Sequence, residues 1–295
     1  MPGCAVGHRD CALCCLQDGD VARERNQCSP FGAAWDHFID SMAVPMTVTA
    51  SCIVTRTPSV LVISNIILIV LTYNMQATVH NDTGVWVEPQ PGGCVAQMLS
   101  AVYIFVSAGI SLLPEFGIAT HEGTDQVLFY VACFASAALV PTCFAMIRQA
   151  GFGRAIEAGG CTLLALVIMA FTVDYGTYMD GALFAEGAHL TLVQYLMLSS
   201  AVSMRISGKM VIRTQDKQSF SGIDVRTVAW AVLLAFFRAM HHLGVQPFAA
   251  GSSMASLLAL AEAWLPWIVM ADLVVLSFVG LGSFYVRVMY NKRTD

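Results

Sequence analysis

Charge is what this chain has least of. Asp, Glu, Lys and Arg make up only 12% of its 295 residues, against about 25% in an ordinary soluble domain. That shortage excludes a single aqueous-facing globule. No basic stripe with interleaved aromatics is present, which excludes nucleic acid as a partner. The chain also lacks a Walker motif, a dinucleotide glycine fingerprint, His-Glu-x-x-His and Gly-x-Ser-x-Gly. P-loop, nicotinamide and common hydrolase chemistries therefore have no sequence support. The seven histidines fall at tails and predicted helix ends, which argues against a haem held between facing helices. No cofactor is expected.

What is present is apolar sequence. Hydrophobic residues make up 57% of the chain and mean hydropathy is +0.66. Apolar runs near 20 residues recur, as a polytopic membrane protein requires. The runs are 60–78, 94–113, 127–147, 158–173, 183–204, 225–245 and 261–289. An eighth, 38–54, is weak because it contains Asp40 and Pro45. The reading is an all-α integral membrane protein with a seven-helix bundle, with or without that weak helix ahead of it. Residues 1–34 read as a disordered tail, 35–290 as one transmembrane helical domain and 291–295 as a C-terminal tail.

Five of the ten cysteines precede residue 29: Cys4, Cys11, Cys14, Cys15 and Cys28. Their spacing is irregular, and with His8 it makes a poor zinc site. Palmitoylation, disulfides and an inert tail remain open. No metal is expected. Pro at position 2 excludes N-myristoylation.

Basic residues set the orientation. Arg205, Lys209, Arg213, Lys217 and Arg226 share one predicted loop, Arg148 and Arg154 another, and Arg287, Lys292 and Arg293 the C-terminus. The intervening loops are acidic or neutral, so the C-terminus is expected in the cytosol. Asn81-Asp82-Thr83 is a glycosylation sequon, but the charge pattern puts its loop on the cytosolic side.

Two charges stand inside apolar runs: Arg238 and Asp272, the latter alone in the 24 residues 263–286. Arg238 lies about 18 Å beyond Arg226, and Asp272 about 22 Å before Arg287, at 1.5 Å per helical residue. On antiparallel neighbouring helices the two could meet. Intramembrane charges usually pair or serve a site. The pair reads as a helix lock or as an ion, proton or ligand site; otherwise Arg238 snorkels to the headgroups. Glu186, His189, His242 and Glu262 read as an outer vestibule or a metal site of the same bundle, with a spacing that is not diagnostic of a di-metal centre. Asp36, His37 and Asp40 read as an interfacial cap before the weak first segment.

The stretch 271–288, Ala-Asp-Leu-Val-Val-Leu-Ser-Phe-Val-Gly-Leu-Gly-Ser-Phe-Tyr-Val-Arg-Val, resembles the last helix of microbial rhodopsins, including channelrhodopsins. Asp272 matches an Asp that in that family precedes the retinal-binding Lys by four residues, and Gly280 matches a later Gly. Leu276 stands where the Lys would be. The resemblance therefore implies the fold without a retinal Schiff base.

The leading functional expectation is a channel, transporter or receptor-like bundle centred on Arg238 and Asp272. One alternative is a membrane-embedded enzyme that acts on a lipidic substrate through Glu186, His189, His242 and Glu262. The other is a structural subunit of a membrane complex. Expected partners are the lipid bilayer and homo- or hetero-oligomers formed through helix faces.

Overall fold

The computed structural model describes residues 29–54, 57–84, 93–174, 190–216, 218, 220, 222–244 and 252–291. These form eight helices: α1 (Pro30–Val54), α2 (Ser59–Thr83), α3 (Gly93–Leu112), α4 (His121–Ala150), α5 (Phe152–Ala170), α6 (Leu192–Gln215), α7 (Val225–His242) and α8 (Ser253–Asn291). Four of them, α2, α4, α5 and α8, are long and apolar enough to cross a membrane. The chain is an all-helical integral membrane protein. The expected tail lies outside the described residues up to residue 28, and α1 already starts at Pro30.

Local chemistry sets several helix ends. Thr191 and Gln194 form a reciprocal capping box at the start of α6, which satisfies two of the orphan N–H groups there. Thr120 caps α4 by accepting from the Gly123 N–H. Gly84 ends α2 in the left-handed region at φ 70°, and its N–H donates to the His80 carbonyl.

α6 is the central helix, packed against α1, α2, α5 and α8. Its buried surface interleaves large side chains such as Tyr195, Met204 and Ile206 with small ones: Ser199, Ser200, Ala201, Ser203, Ser207 and Gly208. Small side chains let neighbouring backbones approach closely, the usual means of helix association in lipid. A buried polar knot adds specificity. Ser207 Oγ donates to Asn74 Oδ1 at 2.7 Å, and Asn74 Nδ2 donates to Thr162 Oγ1 at 3.2 Å. Three helices, α2, α5 and α6, are tied at one point.

α4 presents the opposite character. Phe129, Tyr130, Phe134 and Phe144 are exposed along it. An apolar helix with bulky side chains outward suits a lipid-facing position.

The loop from α6 to α7 does not leave the bundle. Asn81 Nδ2 donates to the Gln218 carbonyl, and Arg154 donates to the Phe220 carbonyl. Gly222 presses against the Ala158 backbone. Asp224 is buried and accepts from Arg205 at 3.2 Å and Lys209 at 3.0 Å. Those partners lie 11 and 7 residues before Asp216, or about 16 and 10 Å back along α6. The loop is thus a strap that doubles back, and α7 starts well inside the end of α6.

Candidate functional site

Helical residues four apart share a face, and α1 uses this twice. Ala34, Phe38, Ser41 and Pro45 are buried, the first three at 1% exposure or less. Asp36 and Asp40 fall on the opposite side and are exposed, and His37 is half-buried on the flank. One ligand atom from each of Asp36, His37 and Asp40 lies within 4.8 Å of the other two.

α2 forms the wall beside this cluster. Tyr73 donates its hydroxyl to the His37 carbonyl at 2.8 Å. The His80 ring lies 6.0 Å from the His37 ring, centroid to centroid. Burial, and then the neighbouring His80, push the His37 imidazole down to about 4. It is therefore neutral at neutral pH, and a ring nitrogen can act as ligand. Burial, and then the Asp36 carboxylate, push Asp40 up to about 6. Two carboxylates that disfavour each other's charge are stabilised by a cation placed between them. Carboxylate oxygens with one imidazole suit a hard divalent ion such as Mg²⁺ or Mn²⁺.

The remaining sequence candidates are dispersed. Asp272 does pair with an arginine, but the partner is Arg226, not Arg238. Arg226 Nε donates to Asp272 Oδ2 at 2.9 Å, its second nitrogen reaches Oδ1, and Trp230 Nε1 donates to Oδ2 at 2.8 Å. The strap is the physical reason. Arg287 bonds Asp216 at the end of α6 at 2.8 Å, whereas α7 begins further in, so Asp272 is level with the first turn of α7. Arg238 is 12 residues on, about 18 Å further along the helix, and the carboxylate that acts on it is Asp174.

His242 is exposed in the last turn of α7. Glu262 is half-buried in α8 and lines a small recess with Thr172, Leu190 and Phe237. Glu186 and His189 lie outside the described residues. Asn81, the sequon residue, donates to Thr214 Oγ1 at 2.9 Å as well as to Gln218.

The reading of Asp36, His37 and Asp40 as a cap is corrected by the helix itself. They sit in the second and third turns of α1, not ahead of it. The signal was present as two aspartates at i and i+4 with a histidine between them. It was obscured because the apolar run starts only at Phe38.

A search of curated proteins returns no match to this chain. Residues 11–138 match the model of the CDP-alcohol phosphatidyltransferase family. The matched span contains α1, α2, α3 and the first half of α4, and with them Asp36, His37 and Asp40. This similarity overturns the rhodopsin-like reading, which rested on one apolar helix whose pattern other membrane helices share. It equally overturns the channel, transporter or receptor reading. It favours the alternative of a membrane-embedded enzyme with a lipid substrate, although Glu186, His189, His242 and Glu262 all lie outside the matched residues. Over residues 11–138 the chain is similar to CDP-alcohol phosphatidyltransferases, and the Asp36, His37 and Asp40 cluster falls within that span.

Proposed function

We propose that the chain is a membrane-embedded transferase acting on a CDP-linked alcohol, with a divalent cation held by Asp36, His37 and Asp40. The observation that carries the reading is the convergence of those three ligand atoms within 4.8 Å inside the family-matched span. In such a transfer, an acceptor hydroxyl oxygen attacks the phosphorus that bears the alcohol. A new P–O bond forms, the bridging P–O bond of the diphosphate breaks, CMP leaves with the electron pair, and the hydroxyl proton is released.

The diphosphate is the part of the substrate that needs help from the protein. A bound cation supplies charge neutralisation for the leaving phosphate. Asp36 and Asp40 provide oxygen ligands from one face of one helix, so their spacing is fixed by the helix. His37, neutral beside them, completes the donor set. The apolar flanks of α2 and α4 supply a phase for a lipid chain. The basic end that contains Arg154, Arg205, Lys209 and Arg226 is placed on the cytosolic side by the positive-inside rule, where a soluble CDP-alcohol or CMP would exchange.

The test uses the purified chain in nanodiscs with Mn²⁺, a panel of CDP-alcohols and a panel of hydroxyl-bearing acceptors, both soluble and lipid. CMP release is expected, lost in Asp36→Asn and in Asp40→Asn. A wild-type protein that neither binds Mn²⁺ nor releases CMP overturns the reading.

A further inference from the structure

α2 meets the α1 cluster near its own end. His80 stands in the last turn of the helix, which closes at Thr83 and Gly84. Terminal turns fray, since their last carbonyls have no partner within the helix. A residue needed at a site is poorly placed there unless something holds the end.

The holding group is Arg154, the third residue of α5. Its Nε and one terminal nitrogen donate to the two oxygens of Asp82, both at 2.9 Å. Its other nitrogen donates to the Phe220 carbonyl at 2.8 Å and lies 2.9 Å from Glu157. A bidentate guanidinium–carboxylate pair fixes direction as well as distance. Beside it, Asn81 reaches Thr214 on α6 and Gln218 on the strap. The end of α2 is therefore clamped from α5, from α6 and from the strap. Asp82 is two residues past His80, and the His80 ring faces His37.

We propose that Arg154 is a positioning residue for the α1 site, acting through Asp82 and the strap to hold the His80 turn of α2 against His37. The inference rests on the reading of Asp36, His37 and Asp40 as cation ligands. Arg154 itself touches neither the cation nor the substrate. Its part is to keep the wall of the site from fraying. That same contact gives the strap a direct mechanical route to the site.

The test compares full-length wild type, Arg154→Ala, Arg154→Lys and the reciprocal Arg154→Asp/Asp82→Arg in nanodiscs. Two quantities are read: Mn²⁺ affinity by electron paramagnetic resonance, and amide hydrogen exchange. Arg154→Ala should weaken Mn²⁺ roughly tenfold, the low end of what outer partners of a metal site cost. It should speed exchange at 78–83 and at 36–40 while the α5–α6 core stays protected. Arg154→Lys should fall between, because an ammonium cannot make the two-pronged contact. The reciprocal pair should recover most of the loss. Wild-type Mn²⁺ affinity in a folded Arg154→Ala protein overturns the proposal, as does faster exchange confined to 78–83. If wild type binds no Mn²⁺, the cation reading fails by itself. Exchange at 36–40 then decides the positioning role, with acceleration supporting it and no change overturning it.

Discussion

Phe38 of α1 lies so close against Gly208 of α6 that a Cβ on the glycine would stand 2.8 Å from Phe38 Cδ2. The ring cannot retreat, because it is 1% exposed and Phe278 packs against it edge-on at 5.3 Å. Asp36 and Asp40 flank Phe38 in sequence, so the approach of these two helices sets where the carboxylates stand. Gly208→Val should cost about 1–3 kcal/mol, the range for overpacking a close contact, and should weaken Mn²⁺ binding several-fold. Gly208→Ala should do less of both. Thermal unfolding in nanodiscs, read beside Mn²⁺ titration, checks this. A valine variant as stable as wild type would show that α1 does not depend on this contact.

The bond from Arg226 to Asp272 is a lock between α7 and α8. The Arg226 side chain is half exposed at 52% and Asp272 is 19% exposed, so solvent screens the pair and its net worth is about 1 kcal/mol. Asp272→Asn should therefore destabilise modestly, leave CMP release in place and shift the emission of Trp230, which loses its charged acceptor. Arg226→Met/Asp272→Leu/Trp230→Phe should cost less than Asp272→Asn alone, since replacing all three bonded side chains leaves no unpaired group. Loss of CMP release in Asp272→Asn at unchanged stability would give this carboxylate a chemical role that the lock does not explain.

The helices themselves were legible, because a run of 20 apolar residues has few alternatives in a chain this poor in charge. The least legible was α6. The apolar pattern suggests a segment at 183–204, whereas the helix runs Leu192–Gln215. Its residues Ser199, Ser200, Ser203 and Ser207 are all buried. Ser199 Oγ, for one, donates to its own helix at the Tyr195 carbonyl at 2.7 Å, which hides the hydroxyl without a neighbour's help. The partner of Asp272 was not legible, because register between α7 and α8 depends on a strap that folds back along the bundle. The aspartates of α1 were visible, but their place inside a helix was not, since polar residues at the start of an apolar run normally mark an interface.

Asp224 gives a pH dependence with a definite sign. Burial alone would push this carboxyl up, but Lys209, Arg205 and Thr227 outweigh burial and hold it below the usual carboxylate range. A group with a depressed folded value contributes stability above its unfolded value, near pH 4. That contribution is lost as pH falls through the folded value. The stability gap between wild type and Asp224→Asn should therefore be about 3 kcal/mol, the scale for breaking a buried pair. It should stay constant from pH 7 to about 5 and shrink below about pH 4. Denaturant titration of both proteins across that range reads it directly. A gap that widened on acidification would mean that Asp224 is not the ionised partner of Arg205 and Lys209.

Gly222 is the tightest point of the strap. A Cβ there would stand 2.0 Å from the Ala158 carbonyl oxygen and 2.5 Å from its carbon. Both are backbone atoms inside α5, so neither can swing aside as a side-chain end would. Gly222→Ala must lift the strap. That pulls Phe220, only 4% exposed, out of its packing and removes the carbonyl that Arg154 holds. The variant should become sensitive to trypsin within 213–226 while the helices stay folded, and Mn²⁺ affinity should fall with it, because the same arginine holds Asp82. Ala158→Gly should not rescue it, since the clash is with the Ala158 main chain and deleting a methyl group frees no space there. Rescue by Ala158→Gly would mean that the contact is made by side chains and that the strap is less fixed than this geometry requires.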